Sequence, residues 1–243
     1  MTTRLVAWRQ SGTTQAVEHC RFDVRATAVS LVGTVLGARG GAPVRTEYQV
    51  MADSAGLTRT LHVSFQRGPS RTETTLVRSP AGHWTVDGVD APQLAGCTDV
   101  DLGCSPATNT LPLRRLGLQV GASRTIRAAW VRFPELTVAA ADQIYTRVGE
   151  HMYRYSSGRY AADLTVDDLG LVTTYDKWIR IGTVDSPVEG GEECPAVAQE
   201  RVTRGPVFAT YSRGAEAIAV MLARGRSGAE PSRCASARRR SSG

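Results

Sequence analysis

The chain is poor in the features that mark out most specialised proteins. Its 243 residues hold five cysteines (Cys20, Cys97, Cys104, Cys194 and Cys234), an odd number, widely spaced and without a Cys-x-x-Cys pair. That pattern suggests neither a disulfide framework nor a zinc ribbon, and reduced thiols are expected. No apolar run is long enough for a membrane-spanning helix, and the opening MTTRLVAWRQSGTTQ contains no signal-peptide core. A soluble, cytoplasmic protein is expected. Gly-x-Ser-x-Gly, a phosphate loop and His-Glu-x-x-His are all missing, and His62, His83 and His151 stand alone, so motif-borne hydrolase, nucleotide and zinc-protease chemistry drop out. Lysine is almost absent, Lys177 being the only one, and the net charge of +6 comes from arginines scattered among acids. The only basic run, Arg238 to Arg240, lies near the chain's last residue. Scatter of this kind gives no stripe for nucleic acid.

What is present is strand periodicity. Phe22, Val24, Ala26, Ala28 and Ser30 alternate with Asp23, Arg25 and Thr27, and Leu61, Val63 and Phe65 repeat the pattern. Turn signals at 37–43, 53–56, 68–70, 79–82, 87–88, 121–123, 156–158 and 168–170 are too close for βαβ crossovers and suit hairpins. Helix evidence is thin, and Leu136 to Val148 reads as a long or bulged strand. The expected fold is mainly β: a curved antiparallel sheet with little helix, closing into a roll or partial barrel whose concave face holds side chains or a ligand. One domain over 1–184 is expected. Beyond it the texture turns to Gly, Arg, Ser and Pro, and 185–243 reads as a low-complexity, disordered tail.

Polar chemistry concentrates between Leu94 and Leu118, LAGCTDVDLGCSPATNTLPLRRLGL. Asp99 and Asp101, two apart on a strand, share one face. They are held by arginines or backbone amides, or contact a ligand, or act as an acid–base pair. No further oxygen or His ligands adjoin them for a metal. Arg114 and Arg115 are consecutive, so in an extended segment they diverge, one toward the aspartates and the other toward solvent or a headgroup. Asn109, between Thr108 and Thr110, suits a side-chain-to-backbone turn. Glu18, His19 and Cys20 adjoin, but neighbours on a strand point oppositely, so His19 cannot activate Cys20. Trp8, Trp84, Trp130 and Trp178 read as core or pocket wall.

Several of these segments together resemble the bacterial putative glycolipid-binding family, formerly a domain of unknown function. They are Trp8, Glu18-His19-Cys20, Tyr48-x-Val50 with Asp53, Thr58-Arg59, Trp84, Gly96-Cys97-x-Asp99-Val100-Asp101-Leu102 and Thr108-Asn109-Thr110-Leu111-Pro112-Leu113-Arg114-Arg115-Leu116. Asp167, Gly170-Leu171-Val172 and Tyr175 look like its closing motif, and the likeness spans about residues 4 to 181. Ala107 departs from it, standing where an aromatic is expected. The resemblance implies a spiral β-roll, similar to half-barrel lipoprotein carriers, that binds a glycolipid or other amphiphile without catalysis. The expected ligand contacts are Glu18, Arg59, Trp84, Asp99, Asp101, Asn109, Arg114, Arg115 and Tyr145, with the Asp/Arg cluster at the mouth fixing the polar head. No catalytic residue, metal, cofactor or nucleic-acid partner is expected. Two other classes stay open: an enzyme using Asp99 or Asp101 with Arg114 as anion clamp, and a protein-interaction module.

Overall fold

The structure, a computed structural model, describes residues 2–12 and 15–186. The first of two compact units, Met1–Gly191, carries every described element; the second, Glu192–Gly243, lies outside the described residues. So does the expected tail, apart from Asp185 and Ser186, which complete the last strand.

Fifteen strands form one sheet: β1 (Thr2–Gln10), β2 (Ala16–Val24), β3 (Ala28–Arg39), β4 (Ala42–Asp53), β5 (Thr58–Arg67), β6 (Ser70–Arg78), β7 (Trp84–Val86), β8 (Val89–Asp90), β9 (Asp99–Leu102), β10 (Ser123–Arg132), β11 (Thr137–Arg147), β12 (Met152–Ser157), β13 (Tyr160–Val166), β14 (Val172–Tyr175) and β15 (Trp178–Ser186). Their spatial order is β8-β7-β6-β5-β4-β3-β2-β1-β15-β14-β13-β12-β11-β10-β9. The first and last strands therefore pair in the middle, Gln10 opposite Trp178. Every neighbouring pair is antiparallel except β9 with β10. The sheet is curved and does not close. As it curls, the segment before β9 reaches the other half: Thr58 N–H donates to Thr98 O at 3.0 Å, and the Trp84 indole to Cys97 O at 3.0 Å.

Period-two alternation is what folds each strand one way. In β2, Ala16, Glu18, Cys20 and Phe22 are buried while Val17, His19 and Arg21 are exposed. His19 and Cys20 accordingly face opposite sides. The stretch from Thr137 to Arg147 is a single strand, as its pattern suggests. Gly33 answers a close approach, because a Cβ there would sit 2.3 Å from the Tyr48 ring. The ring lies across that glycine to reach Glu18.

One correction concerns the Arg114–Arg115 segment, expected to be extended. It is the α-helix α1 (Thr110–Leu116), preceded by a 3-10 turn, Ala107–Asn109. Seven residues do not hold a helix unaided; burial of Thr110, Leu111, Pro112 and Leu113 does. Pro112 falls in the first turn, where its missing N–H has no intrahelical acceptor to lose, and Gly117 ends the helix at φ +51. Leu111 and Leu113 mimic strand alternation because they enter two separate apolar clusters: Leu111 joins the main core and Leu113 the one around Tyr145, Tyr153 and Leu164.

Antiparallel order sends the hairpin turns to alternate ends of the roll. The turns at 54–57 and 167–171 share one end, and α1 lies against both, Arg115 beside Gly56 and Arg114 beside Gly170. This end is capped. The turns at 40–41, 68–69, 133–136, 158–159 and 176–177 ring the other.

Candidate functional site

Two adjoining cavities lie at that uncapped end. One, of about 440 Å³, lies against Ala16, Val35, Val44 and Phe65 on β2 to β5, with Phe133, Cys104 and the guanidinium-bearing Arg39 and Arg132 completing it. The other, about 490 Å³, is bounded by Asp101 on β9, Gln143 on β11, Tyr155 on β12, Tyr160 on β13, Tyr175 on β14 and Trp178 on β15. Gln10, Gly103 and Trp130 border both, so the cavities share one wall. Each has the size of an ordinary small-molecule site.

The first cavity has apolar walls at Ala16, Val35, Val44 and Phe65 and cationic edges. The Arg39 guanidinium donates to Phe133 O at 3.3 Å, and that of Arg132 stacks on the Trp130 ring, 5.1 Å from its centre. The second is walled by aromatic rings, with Asp101 and Gln143 as a polar pair among them. Tyr155 contacts Tyr145, Tyr160 and Tyr175 edge to face, with ring centres 5.2, 6.0 and 5.9 Å away. The Gln143 amide donates to Asp101 Oδ2 at 2.6 Å. Burial raises the Asp101 carboxyl to about 6, against the pull of that one amide. A carboxylate, a carboxamide and several aromatic faces around one cavity suit a ring bearing hydroxyls: the polar pair accepts and donates at the hydroxyls, and the faces cover the C–H surface.

Of the nine residues expected to touch a ligand, only Asp101 borders either of these two cavities; Arg114 borders a separate one of about 390 Å³ at the capped end, with Arg147 and His151. Asn109 and Tyr145 stand directly behind Asp101. The Tyr145 hydroxyl donates to Asn109 Oδ1 at 2.8 Å and lies 3.4 Å from Gln143 Oε1, while Asn109 Nδ2 donates to Pro106 O at 3.1 Å. This chain of bonds ties the start of α1 to the amide that holds Asp101. Glu18 is fully buried and accepts from the Tyr48 hydroxyl and, at 2.6 Å, from Ser105 Oγ. It supports the loop whose Ser105 borders the second cavity.

The rest lie outside both cavities. Arg59 bridges Asp53 at 2.6 Å and donates to Ser79 O. Trp84 is core. Asp99, fully buried, pairs with Arg115 and accepts from Thr98 Oγ1 at 2.6 Å; burial raises its carboxyl and Arg115 opposes the rise. Arg114 sits 5.3 Å from the Phe22 ring centre and donates to Leu169 O. The expectation that Asp99, Asp101 and both arginines close the mouth as one cluster is thus corrected. Helical geometry turns the arginines toward two turns of the capped end, and Asp99 and Asp101 take different partners.

Sequence reasoning did not single out Gln10, Gln143, Tyr155 or Tyr160, and it named Tyr175 only as part of a closing motif, not as a ligand contact. Alternation of Tyr153 and Tyr155 was the available signal, but which strands meet across the hollow is not written in any local pattern. Of the four tryptophans, Trp130 and Trp178 border the second cavity, whereas Trp8 and Trp84 are core. Burial raises the thiols of Cys20, Cys97 and Cys104, so none is a thiolate near neutral pH. Among the described residues no cluster of His, Cys, Asp or Glu has the grouping of a metal site, and no helix is long and apolar enough to cross a membrane.

Comparison with known proteins gives two matches. The model of a family described as "Putative glycolipid-binding" matches residues 5–180. The crystal structure of a DUF1089 family protein from Pseudomonas aeruginosa is similar, with 29% identity and a TM-score of 0.58, covering 69% of this chain and 91% of that one. No curated protein matches.

Proposed function

The chain belongs to the family described as "putative glycolipid-binding", and from that premise we propose that it binds an amphiphile in the hollow of the roll without transforming it. The hydroxylated head lies in the cavity of Asp101, Gln143 and the tyrosines. The acyl chain lies in the cavity of Ala16, Val35, Val44 and Phe65. The observation that carries this reading is the wall the two cavities share at Gln10, Gly103 and Trp130. A single molecule with a polar and an apolar half can fill both. Burial of the chain contributes about 0.8 kcal/mol per methylene.

The neutral thiols, and the separation of His19 from Cys20, favour binding over nucleophilic chemistry. The test is titration of the full chain with alkyl β-glucosides below their micelle concentration, followed through Trp130 and Trp178 fluorescence and by native mass spectrometry. Octyl glucoside is expected to bind more tightly than glucose or octanoate, and two further methylenes to tighten it roughly tenfold. The absence of saturable binding, or an affinity indifferent to chain length, defeats the reading.

A further inference from the structure

The arginines that look scattered along the chain are gathered by the fold at the end where the cavities lie. Arg39 ends β3, Arg67 ends β5, Arg132 ends β10, Arg159 sits in the β12–β13 turn and Lys177 in the β14–β15 turn. All five are exposed, and none forms a salt bridge among the described residues. Carboxylates in the turns of this end are Asp87, Glu135 and Asp176, and Asp87 is held by Thr74 and Thr75. The capped end differs in that its acids are answered by arginines: Asp53 bridges Arg59, and Asp167 bridges both Arg4 and Arg180. Of the two arginines of α1, Arg115 is turned inward onto Asp99, while Arg114 is exposed and donates to Leu169 O.

Apolar groups accompany the cations. Tyr160, 45% exposed, borders the second cavity, and Val17, Leu36 and Ile179 lie exposed on the outer face of β2, β3 and β15 close to the same rim. Five cations without a salt bridge and a fringe of exposed apolar side chains around an opening match the two layers of a charged bilayer surface: phosphates outside and hydrocarbon beneath.

We propose that this end of the roll docks on a membrane surface containing anionic lipids, the five rim cations against the headgroups and both cavities facing the bilayer. The ligand of the cavities would then pass between protein and membrane without crossing water. Docking does not depend on which amphiphile the cavities take.

The test is co-sedimentation of the full chain with vesicles of phosphatidylglycerol and phosphatidylcholine, against vesicles of phosphatidylcholine alone, at low and high salt. Binding is expected to the anionic vesicles only, and to fall as salt rises. Each cation near such a surface strengthens binding about fivefold. The triple variant Arg67→Gln/Arg159→Gln/Lys177→Gln, whose positions border neither cavity, should therefore lose about a hundredfold. Its octyl glucoside affinity in solution should equal that of the unaltered chain, which separates docking from amphiphile binding. A second variant, Arg238→Gln/Arg239→Gln/Arg240→Gln, removes the terminal basic run and should keep most vesicle binding. Equal binding to both vesicle types, no loss in the rim variant, or loss confined to the terminal variant overturns the proposal. So does a short DNA duplex that competes with the vesicles and is released by the same rim substitutions.

Discussion

Glu18 offers the sharpest test of how the roll is held, because it is a carboxyl with no access to water. It is fully buried, two hydroxyls donate to its Oε1, and its Oε2 meets no donor among the described residues. Burial outweighs the two hydrogen bonds and lifts it from 4.5 to about 7. Because the folded state keeps a proton that the unfolded chain gives up, the associated stability is fully present below pH 4.5 and lost as pH rises through 7. At about 1.4 kcal/mol per pH unit, the gap amounts to about 3 kcal/mol in full and about 2.5 kcal/mol between pH 5 and 8. Glu18→Gln is neutral throughout. It keeps an oxygen for Tyr48 and Ser105 but puts an amide where Oε2 stood, at a pH-independent cost of about 1–3 kcal/mol. The assay is urea unfolding of both proteins, followed by tryptophan fluorescence at several pH values from 5 to 8. Other titrating groups, Asp101 among them, cancel in the difference. The variant should begin less stable than the parent and improve relative to it by 2–3 kcal/mol as pH rises, again as about 1.4 kcal/mol per unit of pH between the two pKa values. Parallel curves would refute the reasoning.

Three further outcomes are expected. Arg115→Ala strands the buried Asp99 carboxylate and should cost about 3–5 kcal/mol in urea unfolding, largely recovered when Asp99→Asn is added; Arg114→Ala, an exposed position, should cost much less. Asp101→Asn removes a charge that burial penalises, so the melting temperature should hold or rise above pH 6, while octyl glucoside affinity falls by tenfold or more. Val35→Phe should fill the apolar cavity, weakening octyl glucoside binding strongly and methyl glucoside binding little in the same titration.

The strands were legible because a half-buried sheet imposes period two on every segment, and Ala16–Val24 or Leu61–Phe65 obey it residue by residue. The helix at 110–116 was not legible. Leu111 and Leu113 serve different clusters, so their spacing imitates a strand, and only packing against two distant turns shows otherwise. The polar window around Asp99 stood out for the right physical reason, that crowded polar groups need partners. Which of them point into a cavity depended on the curl of the sheet. Asp101 does and Asp99 does not, although they share a strand four residues long.

Charge tells the same story from the other side. Arg39, Arg67, Arg132, Arg159 and Lys177 are far apart in sequence, and no local reading groups them; alternating hairpins bring them to one rim. What the chain's own order of residues determined was a sheet of hairpins, its buried faces and the family to which it belongs, since these follow from short-range periodicity and motif. What only the tertiary structure decided was which end is plugged, which carboxylate meets the hollow and where the cations gather. Each of those is a contact between strands remote in sequence, set by how far the sheet curls before its halves meet.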